Sequence, residues 1–294
     1  MRVAVVTDTT AYLPPDLQSA LRIFTVPVHV IVDGVSYDEG VDYAPADLTA
    51  DLLSGKRVTT SRPSPGVFMQ AYEQIAQEGY DEIVSIHLSS TVSATLSSAD
   101  IAARSAPIPV HTVDSETLGM AMGYAVASAA QAAQVGEPAD VVTKVALERA
   151  RSSSMYFYVD TLEYLRRGGR IGRASQYFGS ALAIKPLLQL RDGQVEPLAR
   201  VRTSAKAIAR LEELTHEAIS VMGASAGIDV AVMHLAAQDR AEQVAERLAE
   251  HGPDIARVIV VEVGAVVGAH VGPGTIAVAA SPRPTGFPGV PSAD

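Results

Sequence analysis

Short apolar runs rich in β-branched residues alternate with helical patterns along the first half of this 294-residue chain. The strand-like runs are residues 2–8, 24–33, 82–88 and 109–115, and the helical patterns are residues 14–22, 44–55, 65–79, 92–104, 119–134 and 138–151. Strands that alternate with helices at this spacing are typical of βαβ units, in which neighbouring strands run parallel. We therefore expect an α/β domain over residues 1–153, with a mostly parallel sheet flanked by helices.

The second half has a different pattern, which predicts a smaller α+β domain over residues 154–280. Asp192-Gly193 lies between two extended segments, and this dipeptide is a strong signal for a two-residue hairpin. The other predicted elements are a strand at 155–161, a helix with a Gly-Gly break at 162–179, helices at 203–220 and 238–251, and strands at 228–235 and 257–263. Residues 281–294 contain four prolines and are expected to form a disordered tail.

The composition excludes several classes of protein. The chain has no Cys, which rules out disulfide scaffolds, Cys-ligated zinc and thiol catalysis. Its formal net charge of −10 argues against a surface for nucleic acids or anionic membranes. The apolar run at the N-terminus is too short for a secretion signal, and the Ala-rich stretch 119–135 is too short and too weakly apolar for a membrane span. We expect a cytoplasmic monomer with no stable membrane insertion.

Four hydroxyl-rich segments are predicted to gather at the carboxyl edge of the parallel sheet, where ligands of α/β proteins bind. They are Asp8-Thr9-Thr10, Thr59-Thr60-Ser61, Ser89-Ser90-Thr91 with Ser93, and Asp114-Ser115. Each precedes a helical pattern, so each hydroxyl can be explained as a helix N-cap. Hydroxyls and N–H groups at helix starts also suit an anion such as a carboxylate or a phosphate. The pattern leaves both interpretations open.

No standard catalytic motif is present, and nothing in the sequence favours a metal site. The seven His residues are scattered singly. His87 lies in an apolar strand pattern and is expected to be a hydrogen-bonded core residue. His270 lies in GAHVGPG, which we interpret as a turn that brings an imidazole close to a ligand.

Seven stretches of the chain, in order, resemble the DegV family, the fatty-acid-binding proteins that serve as the lipid-carrying subunit of bacterial fatty acid kinase. They are VAVVTDTTAYLPPDL, TTSRPSPGVFMQAY, IVSIHLSSTVSATLSSA, VHTVDSETLGMAMG, YVDTLEYLRRGGRIGRASQYFGSALAIKPLL, DGQVEPLARVRT and GAHVGPGT. Together they span nearly the whole chain. Arg62 stands where the family usually has Gln, and Ala94 stands where Gly is common, so the resemblance leaves the lipid preference open at these two positions.

The resemblance implies a larger α/β domain, a smaller α+β domain and one long-chain fatty acid, such as palmitate, in a buried tunnel. Thr60 and Ser93 would hold its carboxylate, and Ser61, Ser90 and His270 would be close neighbours. It implies hydrogen bonds to the carboxylate without a fixed cation, and no cofactor. At about 0.8 kcal/mol per buried CH₂, about 14 methylenes contribute roughly 11 kcal/mol before ordering costs.

The resemblance also implies a carrier without enzymatic activity of its own. A partner ATP-dependent kinase would phosphorylate the bound carboxylate to an acyl phosphate for phospholipid metabolism. Residues 161–210 hold ten Lys and Arg against three Asp and Glu, which makes a basic segment in an otherwise acidic chain. The candidates for contact with the kinase or the phosphate are Arg202, Arg170, Arg173 and Lys185, with Arg166, Arg167, Arg200 and Lys206 as further basic residues of the segment.

Three other functions are compatible with the same residues. The first is a stand-alone lipid hydrolase or acyltransferase that uses Ser93 as nucleophile and His270 as base. The second is a binding module for another amphiphile, such as a retinoid, a polyisoprenoid or a sterol-like acid. The third is a phosphate-ligand binder that uses the helix starts, which would require a polar pocket in place of an apolar one.

Overall fold

The computed structural model describes residues 1–177, 184–223, 226–252 and 254–286, and the elements below belong to these ranges. The strands are β1 (Val3–Asp8), β2 (Phe24–Val26), β3 (His29–Val32), β4 (Val35–Asp38), β5 (Val58–Ser61), β6 (Glu82–His87), β7 (Val110–Asp114), β8 (Ser154–Tyr158), β9 (Lys185–Arg191), β10 (Gln194–Val201), β11 (Ile228–His234), β12 (Ile255–Glu262) and β13 (Ile276–Pro282). The helices are α1 (Pro15–Ala20), α2 (Pro45–Leu53), α3 (Pro65–Gln77), α4 (Thr95–Ala103), α5 (Gly119–Gln134), α6 (Ala139–Ser152), α7 (Glu163–Arg167), α8 (Ser204–Met222), α9 (Gln238–His251) and α10 (Ala265–Val271).

The first sheet has the strand order β2-β1-β6-β7, and every neighbouring pair is parallel. Helices α3 and α4 cover one face, where Phe68, Tyr72 and Ile75 are completely buried. Helices α5 and α6 cover the other face. The apolar β-branched runs therefore form a sheet that is buried on both sides, as the alternation of strands and helices predicts.

The predicted strand over residues 24–33 is wrong as a single element. β2 ends before Pro27, which has no N–H for a ladder, and the chain resumes as β3 in a different sheet. β3 pairs antiparallel with β4 on one side and with β5 on the other. The sequence pattern does not reveal β4 and β5, because each is only four residues long and largely polar.

The second sheet has the order β10-β9-β8-β13-β11-β12, in which only β11 and β12 run parallel. The predicted hairpin at Asp192-Gly193 is confirmed. Arg191 pairs with Gln194, and the two turn residues have φ values of 48° and 77°, as a two-residue turn of this kind requires. Helices α8 and α9 cover the face of this sheet that points away from the first one.

Strand β13 continues the fold past residue 280, where the disordered tail was expected to begin. It lies between β8 and β11 in the middle of the second sheet and extends to Pro282. Ser281 is completely buried, and the Arg283 guanidinium pairs with Asp229 at 2.7 Å. Of the predicted tail, residues 287–294 lie outside the described residues.

Helix α5 lies between the two sheets. Every residue from Gly119 to Ala132 is buried, and most of them are Ala, Gly or Met, which allow close packing on all sides. The helix contacts β1 of the first sheet and β11 and β13 of the second. The predicted domain boundary at residue 153 falls between α6 and β8, and the division into two domains stays a prediction.

Arg149 of α6 connects the helices to the second sheet. Its buried guanidinium donates hydrogen bonds to Ser281 Oγ at 3.0 Å, to Ser128 Oγ at 2.5 Å and to Asp229 Oδ2 at 2.5 Å. The same group lies over the Tyr124 ring, 5.1 Å from its centroid. The partners of this guanidinium lie on α5, β11 and β13. The buried ion pair therefore fixes α5 and α6 against the second sheet.

Candidate functional site

An apolar cavity lies where the first sheet, the second sheet and α10 meet. It has a volume of about 180 Å³. The second sheet contributes Met155, Phe157, Leu190, Met233 and Ala277 to its wall. Helix α10 contributes Val266, Val267 and Val271, and Leu118 and Gly119 at the start of α5 complete this apolar part.

Polar side chains of the same cavity are Thr60, Ser61, Arg62, Ser93, Arg170 and His270, together with Tyr12 and Thr275. Thr60 Oγ1 lies 2.8 Å from His270 Nε2, although the two residues are 210 positions apart. Thr60 and Ser61 come from the end of β5, while Ser93 follows β6. Four of the five residues predicted for the carboxylate therefore line one cavity.

His270 does not lie in a turn, as its sequence context predicts, but in the last turn of α10, directly before the Gly-Pro-Gly segment. Burial and, to a smaller extent, the positive charge of Arg170 lower the pKa of its imidazole to about 4. The imidazole is therefore neutral at pH 7. Its Nδ1 atom has no hydrogen-bond partner within the described residues and faces Gly168, where a Cβ atom would overlap it.

Arg170 corrects the expectation of a site without a fixed cation. Its guanidinium donates to the Val92 carbonyl oxygen at 2.9 Å and to the Gly168 carbonyl oxygen at 2.6 Å. The resemblance implies contact with the kinase or the phosphate for Arg170, and the fold places this residue in the cavity beside His270. Arg62 lies on the other side of Ser93, with Nη1 3.5 Å from the Ala94 carbonyl oxygen. The two family departures, Arg62 and Ala94, are thus neighbours in space.

Ser90 does not join this cluster. It is exposed, and its N–H lies 3.3 Å from both carboxylate oxygens of Asp114. The side chains on either side of it, Ser89 and Thr91, donate to the Gly193 carbonyl oxygen of the β9–β10 turn. This loop therefore joins the two sheets, while Ser90 points away from the cavity lining.

The other basic candidates lie outside the cavity lining. Arg173 is exposed and pairs with Glu196 at 2.6 Å. Lys185 pairs with Asp160 at 2.8 Å. Arg202 is exposed and has no ion pair or hydrogen bond among the described residues, so its guanidinium is available to another molecule.

The hydroxyl-rich segments do not all meet at one edge of the parallel sheet. Thr60 and Ser61 belong instead to the three-stranded antiparallel sheet with the order β4-β3-β5. Ser115 donates to the His87 carbonyl oxygen inside the core. Asp8 accepts from His87 Nδ1 at 3.0 Å, and His87 Nε2 lies 2.7 Å from Ser85 Oγ. The expectation of a hydrogen-bonded core histidine is confirmed for His87.

Ser93 and His270 do not have the geometry of a hydrolase nucleophile and its base. Ser93 Oγ lies 2.9 Å from Thr95 Oγ1 and accepts the Thr95 N–H, and no hydrogen bond joins it to His270. The His270 Nδ1 atom lacks the carboxylate that would orient a catalytic imidazole. The described ranges also contain no group of three His, Asp or Glu residues placed to hold a metal ion. No helix in them has the length and apolar character needed to cross a membrane.

The apolar wall was not identified from the sequence. Met155, Phe157 and Met233 occur in strand patterns that predict burial, but the same patterns occur in a filled core. Gly119 is the clearest missed residue. It begins α5 with a φ of 61°, and a Cβ atom there would lie 2.9 Å from Met233 Sδ, so both the backbone and the space require Gly.

Comparison with known proteins agrees with this geometry. A family model described as "Uncharacterised protein, DegV family" matches residues 2–283. A DegV domain-containing protein of Streptomyces coelicolor is 48% identical over 281 residues, which cover 96% of this chain and 99% of that protein.

Two solved structures share the whole fold. A fatty-acid-binding DegV family protein from Thermus thermophilus superposes with a TM-score of 0.90 at 31% identity, and covers 96% of this chain and 100% of its own. DegV from Bacillus subtilis, described as a fatty acid binding protein, superposes with a TM-score of 0.88 at 32% identity and the same coverage. With a family match over nearly its full length and a fold shared with these structures, this chain belongs to the DegV family.

Proposed function

We propose that this protein binds one long-chain fatty acid, such as palmitate, with its acyl chain in the apolar cavity and its carboxylate at Thr60, Ser93 and His270. The observation that carries the proposal is the joining of an apolar cavity to a cluster of hydroxyls, an imidazole and a guanidinium. An acyl chain gains about 0.8 kcal/mol per buried CH₂, and a carboxylate accepts charge-assisted hydrogen bonds from such donors. The fatty-acid-binding relatives in Thermus and Bacillus support the same assignment.

Each polar group has a distinct role in this arrangement. The Thr60 and Ser93 hydroxyls donate to the carboxylate, with Ser61 nearby. The neutral His270 imidazole donates through Nε2 to Thr60 Oγ1 without adding a charge, which leaves the Thr60 hydroxyl proton for the carboxylate. Arg170 provides the compensating positive charge, and its guanidinium is oriented by two backbone carbonyls. An anion in this partly buried position is stabilised only when such partners are present.

We further propose that the protein presents the carboxylate to a separate ATP-dependent kinase. A carboxylate oxygen would attack the γ-phosphorus of ATP bound to the kinase, the bond to the β–γ bridging oxygen would break, and ADP would leave, which yields an acyl phosphate. Arg202 is exposed and makes no ion pair with the described part of the chain, so it is the basic residue best suited to contact the kinase, while Arg173 and Lys185 are already paired.

Native mass spectrometry of protein purified from cells tests the binding proposal. We expect an added mass that corresponds to one fatty acid, identified after extraction, and uptake of palmitate by delipidated protein. Protein that carries no lipid and takes up no palmitate would overturn the proposal.

Presentation to a kinase is tested with Arg202→Ala. This variant should bind palmitate with unchanged affinity but support at least tenfold slower acyl-phosphate formation with a DegV-dependent fatty acid kinase. Arg191→Ala, which removes another exposed guanidinium of the second sheet, is the matched control. Full turnover with Arg202→Ala would refute the role of this residue.

A further inference from the structure

Helix α10 carries a large part of the site, because His270, Val266, Val267 and Val271 all belong to it and all line the cavity. The first turn of a helix leaves N–H groups without partners in the helix. The N-cap of α10 is Gly264, which has no side chain to accept them. The groups that accept hydrogen bonds from these N–H groups therefore help to set the position of α10 and, with it, the position of His270.

Two side chains from distant parts of the chain accept these N–H groups. Val266 N–H donates to Glu39 Oε1 at 2.8 Å, and Val267 N–H donates to Tyr12 Oη at 3.4 Å. Gly264 allows this approach, because a Cβ atom at that position would overlap Glu39 Oε1 and lie 2.7 Å from Tyr12 Cε1. Glu39, which is 227 positions away from Val266 in the chain, thus takes the role that an N-cap side chain usually has.

Glu39 is an unusual group for such a contact. The residue is only 3% exposed, and its Oε2 atom has no hydrogen-bond partner within the described residues. Burial raises the pKa of the carboxyl to about 7, against the lowering effect of the Thr9 hydroxyl and the Val266 N–H and with a smaller contribution from Asp8. Both protonation states are therefore populated at neutral pH.

Glu39 also adjoins a second cavity. Glu39 lines it together with residues of the first loop, of the segment after β4 and of the end of β12. The other titratable groups that line it are Asp8, Tyr12, Tyr43 and Glu262. Asp8 is held by His87 and by the N–H groups of Leu88 and Thr10, whereas Glu262 is exposed at the rim.

We propose that Glu39 is a positioning residue of the ligand site: it anchors the first turn of α10 and thereby sets the position of the His270 imidazole. Val266 and His270 are four residues apart, which is about 6 Å along the helix axis. A hydrogen bond to an ionised carboxylate is shorter and stronger than one to its neutral form, so α10 responds to the charge of Glu39. The consequence for fatty-acid binding rests on the proposed function, while the coupling between Glu39 and His270 does not.

Nuclear magnetic resonance of the ligand-free protein tests the coupling. The imidazole signal of His270, assigned by its loss in His270→Gln, should shift with a midpoint near pH 7, although its own pKa of about 4 lies far below that. The step should vanish in Glu39→Gln, which keeps an acceptor oxygen but cannot titrate. It should remain in Glu262→Gln, the matched control at the same cavity. A His270 signal without a step between pH 6 and pH 8.5, or a step that survives Glu39→Gln, would overturn the proposal.

Palmitate affinity tests the consequence for the site. Glu39→Ala leaves the Val266 N–H without an acceptor and should weaken binding about tenfold, since one lost hydrogen bond is worth about 1.4 kcal/mol. Glu39→Gln should restore affinity to within about threefold of the parent. Equal affinity in Glu39→Ala and the parent contradicts a positioning role. Should Glu39→Ala fail to fold, the Glu39→Gln spectra still decide the question. Should the parent protein bind no palmitate at all, the proposed function fails while the His270 step remains measurable.

Discussion

Replacement of Thr60 by Val should separate the carboxylate contact from the apolar contact. Val keeps the branched shape that suits strand β5 and removes only the hydroxyl, whose Oγ1 lies 2.8 Å from His270 Nε2. A hydrogen bond to a charged group contributes about 1.5–3 kcal/mol, and the freed imidazole can recover part of this by bonding the carboxylate directly. We expect a net loss of about 1.4 kcal/mol, which is tenfold in Kd. The acyl chain still contributes its roughly 11 kcal/mol, so Thr60→Val should remain a binder.

Isothermal calorimetry or displacement of a fluorescent fatty acid would measure this with two ligands. Palmitate should bind about tenfold more weakly to Thr60→Val, whereas hexadecanol, which lacks the carboxylate, should bind the variant and the parent almost equally. Thr59→Val is the matched control, because Thr59 is the neighbouring residue of the same strand and is exposed. Unchanged palmitate affinity would refute a carboxylate contact at Thr60. Equal weakening of palmitate and hexadecanol would show that the substitution acts on the tunnel and not on the head group.

Three further outcomes follow from the structure. Arg149→Met should lower the unfolding free energy in urea by about 1–3 kcal/mol, because the buried Asp229 Oδ2 loses its donor while Arg283 still pairs with Oδ1, and a second change, Asp229→Asn, should recover part of that loss; a single variant as stable as the parent would contradict this. Gly168→Ala should weaken palmitate binding about tenfold with little change in melting temperature, since the new Cβ displaces the His270 imidazole; calorimetry that finds normal affinity would argue against it. Because the folded pKa of Glu39 is raised from 4.5 to about 7, its contribution to stability is complete below pH 4.5 and falls by about 3 kcal/mol as the pH rises to 7. Urea titrations should therefore give a flatter pH dependence for Glu39→Gln, and parallel curves would contradict the buried carboxyl.

Elements with a strong periodic pattern could be predicted from the sequence. The strands β1, β6 and β7 are apolar runs between amphipathic helices, and the Asp192-Gly193 turn follows directly from its backbone requirements. The short polar strands β4 and β5 could not be predicted in this way, because their pairing with β3 comes from tertiary contacts and not from local propensity. Strand β13 was missed since proline-rich sequence directly follows it.

The same division holds for the site. Motif resemblance was sufficient to select Thr60, Ser61, Ser93 and His270, which line one cavity. The structure places Ser90 outside the cavity and Arg170 inside it, and a sequence does not show which of two neighbouring loop residues points inward. Glu39 had no recognisable signal, since its partner on α10 is more than two hundred residues away.

The sequence alone determined the α/β class, the parallel arrangement of the first sheet, the β9–β10 hairpin and the family, because each depends on local patterns of polarity, turn residues and ordered motifs. The tertiary structure decided that apolar residues of the second sheet and α10 line a cavity in place of a filled core. It also decided that Arg170 lies within this cavity and that Glu39 holds the helix that carries His270. These features depend on distances between atoms that are far apart in the chain. Such distances are set by the packing of whole helices and strands, and no single segment of the sequence determines them.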